Sequence, residues 1–209
     1  MEARQEHWDG VYGARTEDEL TWFEATPSVS LELVRMHLQL GDAMIDIGAG
    51  ASRLVDALLD EGFGPLAVLD LSGSALGVSK KRVGARGDSV EWIEADVTVW
   101  HPRREYAVWH DRAVFHFLTE IDERAAYADA MTKALRPDGV AIIATFADDG
   151  PEKCSGLPVV RYAPEELAQE LNGLAPGKFE MISAQRHLHI TPKGNRQSFQ
   201  YCVFKKTES

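Results

Sequence analysis

Cysteine is nearly absent from the chain: there are two in 209 residues, Cys154 and Cys202, with no CxxC spacing. That excludes a disulfide framework and a cysteine-based zinc site, and it fits a reducing compartment. Positive charge is also scarce. Lysine and arginine total 22 against 33 aspartates and glutamates, a formal net charge of −11, and this argues against a nucleic-acid partner, since holding a phosphate backbone takes a basic face. The one compact basic group, Lys80, Lys81, Arg82 and Arg86, reads as a solvated helix face. No apolar run approaches the ~18 residues of a membrane span. The opening MEARQEHWDG is polar and acidic, where a secretory leader is basic and then apolar. The expectation is a soluble, cytoplasmic protein with no membrane partner. Internal repeats and low-complexity linkers are missing as well, and 209 residues suit one α/β domain better than two.

What is present is alternation. From residue 43 onward, short apolar runs take turns with helical patterns, as in βαβ units carrying a parallel sheet. Strands are predicted at 43–47, 65–71, 89–96, 106–111 and 140–146. Leu54, Val55, Leu58 and Leu59 recur at helical spacing until Gly62, and a weaker helix covers about 73–83. Thr119 with Asp122 resembles a capping box before a long helix reaching about 135, and RPDG (136–139) reads as a turn. Pro164 suits a first helical residue. The pattern then changes to two β-rich runs, 178–190 and 198–206, joined by TPKGNRQ, whose Pro, Gly and Asn suit a hairpin. Residues 28–40 look helical. The predicted fold is therefore a Rossmann-like, doubly wound seven-stranded α/β sheet: five parallel strands, a C-terminal antiparallel hairpin, and helices on both faces.

The stretch AMIDIGAGASRLVDALLDEG (43–62) puts a bare backbone between the first strand and its helix. Such a loop suits a phosphate on a helix N-terminus. The dinucleotide pattern GxGxxG fails here, however, because Arg53 stands sixth in GAGASR. Read from Asp46, the same residues give an acid followed by Gly48 and Gly50. In this the sequence resembles the class I S-adenosylmethionine-dependent methyltransferases, whose first motif is D/E-x-G-x-G-x-G; Ser52 replaces the third glycine. The resemblance covers roughly residues 40–206. It implies that S-adenosylmethionine is the cofactor, with S-adenosylhomocysteine as its product. It also implies that Asp70, with Leu71 beside it, accepts the ribose hydroxyls, and that Asp96 and the Val97 amide meet the adenine. Each acid alone reads more readily as a loop acid or helix cap; three at successive strand ends form a constellation. The aromatic N-terminal segment, with Trp8, Tyr12, Trp22 and Phe23, either packs a helix on the sheet or, as the resemblance implies for Trp8 and Trp22, forms a lid over the sulfonium. Residues 1–40 would be that lid and 41–206 the core.

Methyl transfer is an in-line displacement, so the enzyme mainly positions the acceptor and, for a poor nucleophile, removes a proton. The resemblance implies that the end of the fourth strand, VWHDRAVFHFLTE (108–120), faces the methyl group. The catalytic candidates are His110, Asp111 and His116. His110 is either a residue against the cofactor or a catalytic one. Asp111 either holds a cationic group or pairs with Arg112. His116, between Phe115 and Phe117, is either a buried, hydrogen-bonded histidine or a general base. In the loop 147–162, Cys154 is either a low-pKa thiol or inert, and Arg161 and Tyr162 either bind an anion or lie on the surface. His187 and His189 share a strand face, but two histidines without a third ligand make no metal site, and none is expected. The tetrad Asn/Asp-Pro-Pro-aromatic of amine methylation on DNA or glutamine is absent. The leading expectation is a methyltransferase acting on a small molecule or a soft sulfur, selenium or tellurium nucleophile. The alternatives are a protein lysine methyltransferase, drawn by the acidic surface to a basic target, and a non-catalytic cofactor-binding scaffold. A dinucleotide oxidoreductase stands last.

Overall fold

The computed structural model describes residues 2–207. In chain order its helices are α1 Glu2–Ala14, α2 Ser28–His37, α3 Leu54–Asp60, α4 Gly73–Val83, α5 Ile121–Ala134 and α6 Pro164–Leu174. Its strands are β1 Met44–Ile47, β2 Leu66–Asp70, β3 Val90–Glu94, β4 Tyr106–Arg112, β5 Leu135–Phe146, β6 Lys153–Cys154, β7 Leu157–Pro158, β8 Phe179–Ile190 and β9 Arg196–Lys206. Seven strands form one sheet in the order β3-β2-β1-β4-β5-β9-β8. The pairs among β1 to β5 are parallel, and β9 enters antiparallel to both β5 and β8. The chain walks outward from β1 through β2 to β3, then returns to place β4 on the other side of β1. A crevice opens at the carboxyl ends of the strands where that order reverses.

Strand alternation divides the core into two layers. Met44, Val68, Val108 and Ile142 pack on one face with Val34 of α2, Leu54 and Leu58 of α3 and Leu76 of α4. Ile45, Leu69, Trp109 and Ile143 pack on the other with Tyr127 and Met131 of α5 and Leu167 and Leu171 of α6. Both faces of the central strands are covered, which is why β1 and β2 read as continuous apolar runs. Among the described residues no helix is long and apolar enough to cross a membrane.

Local chemistry sets most helix ends. The Ser72 hydroxyl accepts from the Ala75 amide (3.1 Å) to start α4. Pro164 opens α6, where Glu166 accepts from the Ala163 amide (2.8 Å). Two expectations need correction. The Thr119–Asp122 box does not form: Glu120 is the N-cap of α5, so Thr119 lies one residue too early, and Arg124 instead donates to the carbonyls of Leu118 (2.9 Å) and Thr119 (2.8 Å). RPDG is not a free turn but part of β5, because Leu135 already pairs with Tyr106; Asp138 takes a positive φ of 58° where the register shifts.

Candidate functional site

The glycine loop is bare because two segments press on it. Gly48 and Gly50 have φ of 59° and 56°, a left-handed region costly for residues with a Cβ. A Cβ on Gly48 would lie 1.9 Å from Val114 Cγ2, and one on Gly50 would lie 2.1 Å from the Tyr12 hydroxyl. Ser52, which stands in place of a third glycine, accepts from the Leu54 amide (3.1 Å) as α3 begins. Arg53 forms an ion pair with Glu17 and stacks over Phe23, 5.4 Å from the ring.

The loop forms one wall of a cavity at the switch point, lined by Asp46, Gly48, Asp70, Leu71, Asp96, Val97 and His110, with Trp8 and Trp22 across from them. Gly50 does not line it but holds Asp70, whose Oδ2 accepts from the Gly50 amide (2.7 Å) and Oδ1 from the Ser72 amide (2.8 Å). Burial outweighs these bonds and pushes the Asp70 carboxyl up to about 6, with the Asp46 and Asp9 charges adding to the rise. Asp96 Oδ1 accepts from the Thr98 amide (2.9 Å) and hydroxyl (2.7 Å), which fixes its orientation.

Asp46 and His110 are register partners on β1 and β4. Asp46 Oδ1 lies 2.6 Å from His110 Nδ1. Asp46 Oδ2 and His110 Nε2 are both buried and have no hydrogen-bond partner. A buried donor or acceptor left unpaired is costly, so two such atoms on cavity residues mark where a polar ligand belongs.

The N-terminal aromatics close the opposite side. The Trp8 ring lies 5.7 Å from Trp22 and 5.3 Å from Phe117, and Tyr12 lies 6.2 Å from Trp22. Asp9 anchors α1 by accepting from the Ser72 hydroxyl (2.6 Å) and the Ser74 amide (3.2 Å), and Arg4 pairs with Glu123 (2.7 Å).

Two of the three catalytic candidates lie outside this cavity. His110 and Asp111 are consecutive on a strand, so they point to opposite faces. Asp111 is fully buried on the α5 side, where it accepts from the Val114 amide (2.7 Å), the Phe115 amide (3.0 Å) and the Tyr127 hydroxyl (2.7 Å). Nor does it pair with Arg112, which turns to the cavity side. His116 is also fully buried; its Nδ1 accepts from the Phe146 amide (3.2 Å), and burial, with Arg112 nearby, pushes it down to about 3. A ring that weakly basic is no general base near neutral pH.

Cys154 does line the cavity, but burial pushes its thiol up to about 12, the reverse of an activated cysteine. Arg161 closes its own loop on the Gly150 carbonyl (3.0 Å), and Tyr162 is buried outside the cavity. Arg82, grouped by sequence with surface lysines, is instead tied down by Asp56 (2.7 Å) and the carbonyl of Ser52 (2.7 Å). Sequence reasoning does not reach Glu24, Gln197 and Phe199, which join Arg112 at the far end of the cavity. They come from distant segments with no motif in common. The only hint was the two histidines on β8 that pack against Glu24.

The comparisons agree with this geometry. Residues 44–139 match the family model described as a methyltransferase domain. Thiocyanate methyltransferase 1 of Arabidopsis thaliana is 30% identical over 181 residues, covering 84% of this chain and 76% of that protein. Solved structures share the fold. One, described as the conversion of a disulfide bond into a thioacetal group during echinomycin biosynthesis, is 24% identical with a TM-score of 0.75, over 97% of this chain and 93% of that one. Another is the Burkholderia thailandensis 1,6-didemethyltoxoflavin-N1-methyltransferase with 1,6-didemethyltoxoflavin and S-adenosylhomocysteine bound; it is 19% identical with a TM-score of 0.69, over 99% of this chain and 85% of that one. With the acid-glycine loop, the strand order and a curated relative in agreement, the chain belongs to the class I S-adenosylmethionine-dependent methyltransferases and is an enzyme that uses that cofactor.

Proposed function

We propose that the enzyme methylates a small, soft nucleophile of the thiol or thiolate class, and that residues 1–209 work as one domain with residues 1–40 as its lid. The observation that carries this reading is the pairing of Asp46 with His110. With Nδ1–H donated to Asp46, Nε2 keeps its lone pair and can take the proton of a thiol. Asp46 Oδ2 is left to accept from the cofactor's ammonium group, Asp70 from the ribose hydroxyls and Asp96 from the adenine amine. When bound, the cofactor supplies an activated methyl group on a sulfonium; the protein supplies position and a dry enclosure. The aromatic wall of Trp8, Trp22 and Phe117 suits that cation. The thiocyanate-methylating relative supports a small sulfur acceptor.

The test is a screen of purified enzyme with labelled methyl donor against thiols, anions such as thiocyanate, and lysine peptides. His110→Gln should slow a neutral thiol about 100-fold, within the usual range for lost acid–base catalysis, and should leave an acceptor that is already anionic nearly unaffected. Methylation confined to lysine peptides would replace this reading with the protein-substrate alternative. Binding of S-adenosylhomocysteine with no transfer to any acceptor would favour a scaffold.

A further inference from the structure

Glu24, on the loop before α2, meets His187 and His189 of β8. Glu24 Oε1 lies 3.6 Å from His187 Nε2 and 3.4 Å from His189 Nδ1. All three ligand atoms fall within 4.8 Å of one another. His189 Nε2 lies 2.8 Å from the Thr21 carbonyl, which can only accept, so Nε2 carries the hydrogen. In the neutral ring Nδ1 is then a lone pair, aimed at a carboxylate. Two facing acceptors call for a cation between them, a proton or a metal ion, and here a second imidazole converges on the same carboxylate oxygen, with His189 buried and Glu24 and His187 partly so.

From these contacts we infer a divalent metal site, of zinc or a similar transition ion, formed by Glu24, His187 and His189. Zinc bonds of ~2.0–2.1 Å in a tetrahedron separate neighbouring ligand atoms by about 3.3–3.4 Å, close to the two spacings observed. Magnesium and calcium prefer all-oxygen shells and fit poorly. The bond from His189 to the Thr21 carbonyl is the outer support that metal-bound imidazoles usually have. Arg112 decides what completes the shell. Its Nη2 lies 3.4 Å from the same Glu24 oxygen, buried and without a hydrogen-bond partner. With both imidazoles as neutral metal ligands, Glu24 cancels Arg112, so a dication leaves two positive charges in a partly buried place. The fourth ligand is therefore an anion, and it enters from the cavity, which Glu24 and Arg112 both line.

The catalytic use rests on the proposed function; metal binding does not. A thiol held there would bind the metal as its thiolate, its proton passing to His110, which lines the same cavity; as the methyl–sulfonium bond broke to leave S-adenosylhomocysteine, the new methyl–sulfur bond would replace the metal–sulfur bond and release the thioether.

The test is equilibrium dialysis of chelator-treated protein against zinc, with cobalt(II) absorption as a second readout and S-adenosylhomocysteine calorimetry on each sample. One equivalent should bind at about 1 μM free zinc, and cobalt should give the intense visible bands of a tetrahedral site. Glu24→Gln and His187→Ala should each weaken binding at least tenfold while S-adenosylhomocysteine still binds, which shows that the variants are folded. No stoichiometric metal, or equal binding by both variants, overturns the site. Zinc binding without S-adenosylhomocysteine binding would instead count against the functional reading and leave the metal site standing.

Discussion

Asp70 carries two predictions at the residue scale. Its carboxyl sits at about 6 in the folded protein against an ordinary 3.8. Its contribution to stability is therefore present below pH 3.8 and lost as pH rises through about 6. In the role proposed for Asp70 the ribose hydroxyls donate to its ionised form, so the sign for binding is opposite: affinity for S-adenosylhomocysteine should fall about tenfold per pH unit below 6. Calorimetry across pH 4.5–8 would check this at about the resolution needed. Asp70→Asn should weaken binding about 100-fold, since two hydrogen bonds to a charged group are worth ~1.5–3 kcal/mol each, and it should flatten the pH profile. A variant with normal affinity would remove Asp70 from the site. Gly50→Ala tests the loop: with φ of 56° and the Tyr12 hydroxyl 2.1 Å from the new Cβ, Tyr12 must move. The expected cost is about 1–3 kcal/mol in urea unfolding, with weaker cofactor binding.

At the scale of the element, β4 shows how one strand serves two purposes. His110 and Arg112 face the cavity, while Trp109 and Asp111 face α5. Asp111 gathers the amides of Val114 and Phe115 and the Tyr127 hydroxyl, which fixes the segment that presses on Gly48. Asp111→Asn leaves at least one of these donors facing an amide N–H. It should lower stability by about 1–3 kcal/mol, measured by urea denaturation, while folded protein binds S-adenosylhomocysteine as before. A selective loss of turnover without loss of stability would return Asp111 to the catalytic set.

For the whole molecule, the proposed lid is the feature to test. α1 is held by Asp9 on Ser72 and Ser74, by Arg4 on Glu123, by Gln5 on Glu94 and by the rings of Trp8 and Tyr12, mostly side-chain ties for a helix that lines one wall of the cavity. Its amides should exchange readily in the free protein and gain protection when S-adenosylhomocysteine is added, as read by hydrogen exchange; equal protection in both states would make α1 a fixed part of the wall. The doubly wound core was legible because buried parallel strands and amphipathic helices carry distinct periods, and Asp46, Asp70 and Asp96 because that topology brings successive strand ends to one crevice. Which of His110 and Asp111 faces the crevice was not legible, since alternation places them on opposite faces without saying which face a helix covers. Nor was the meeting of Arg112, His187 and His189 with Glu24 and Gln197, which come from segments far apart in sequence. The sequence by itself determined the strands, the closing hairpin and the acids at the strand ends, all properties of local pattern. Only the tertiary structure decided the far end of the cavity, because contacts between distant segments depend on how α1, β8 and the loop before α2 pack together, and no local period encodes that.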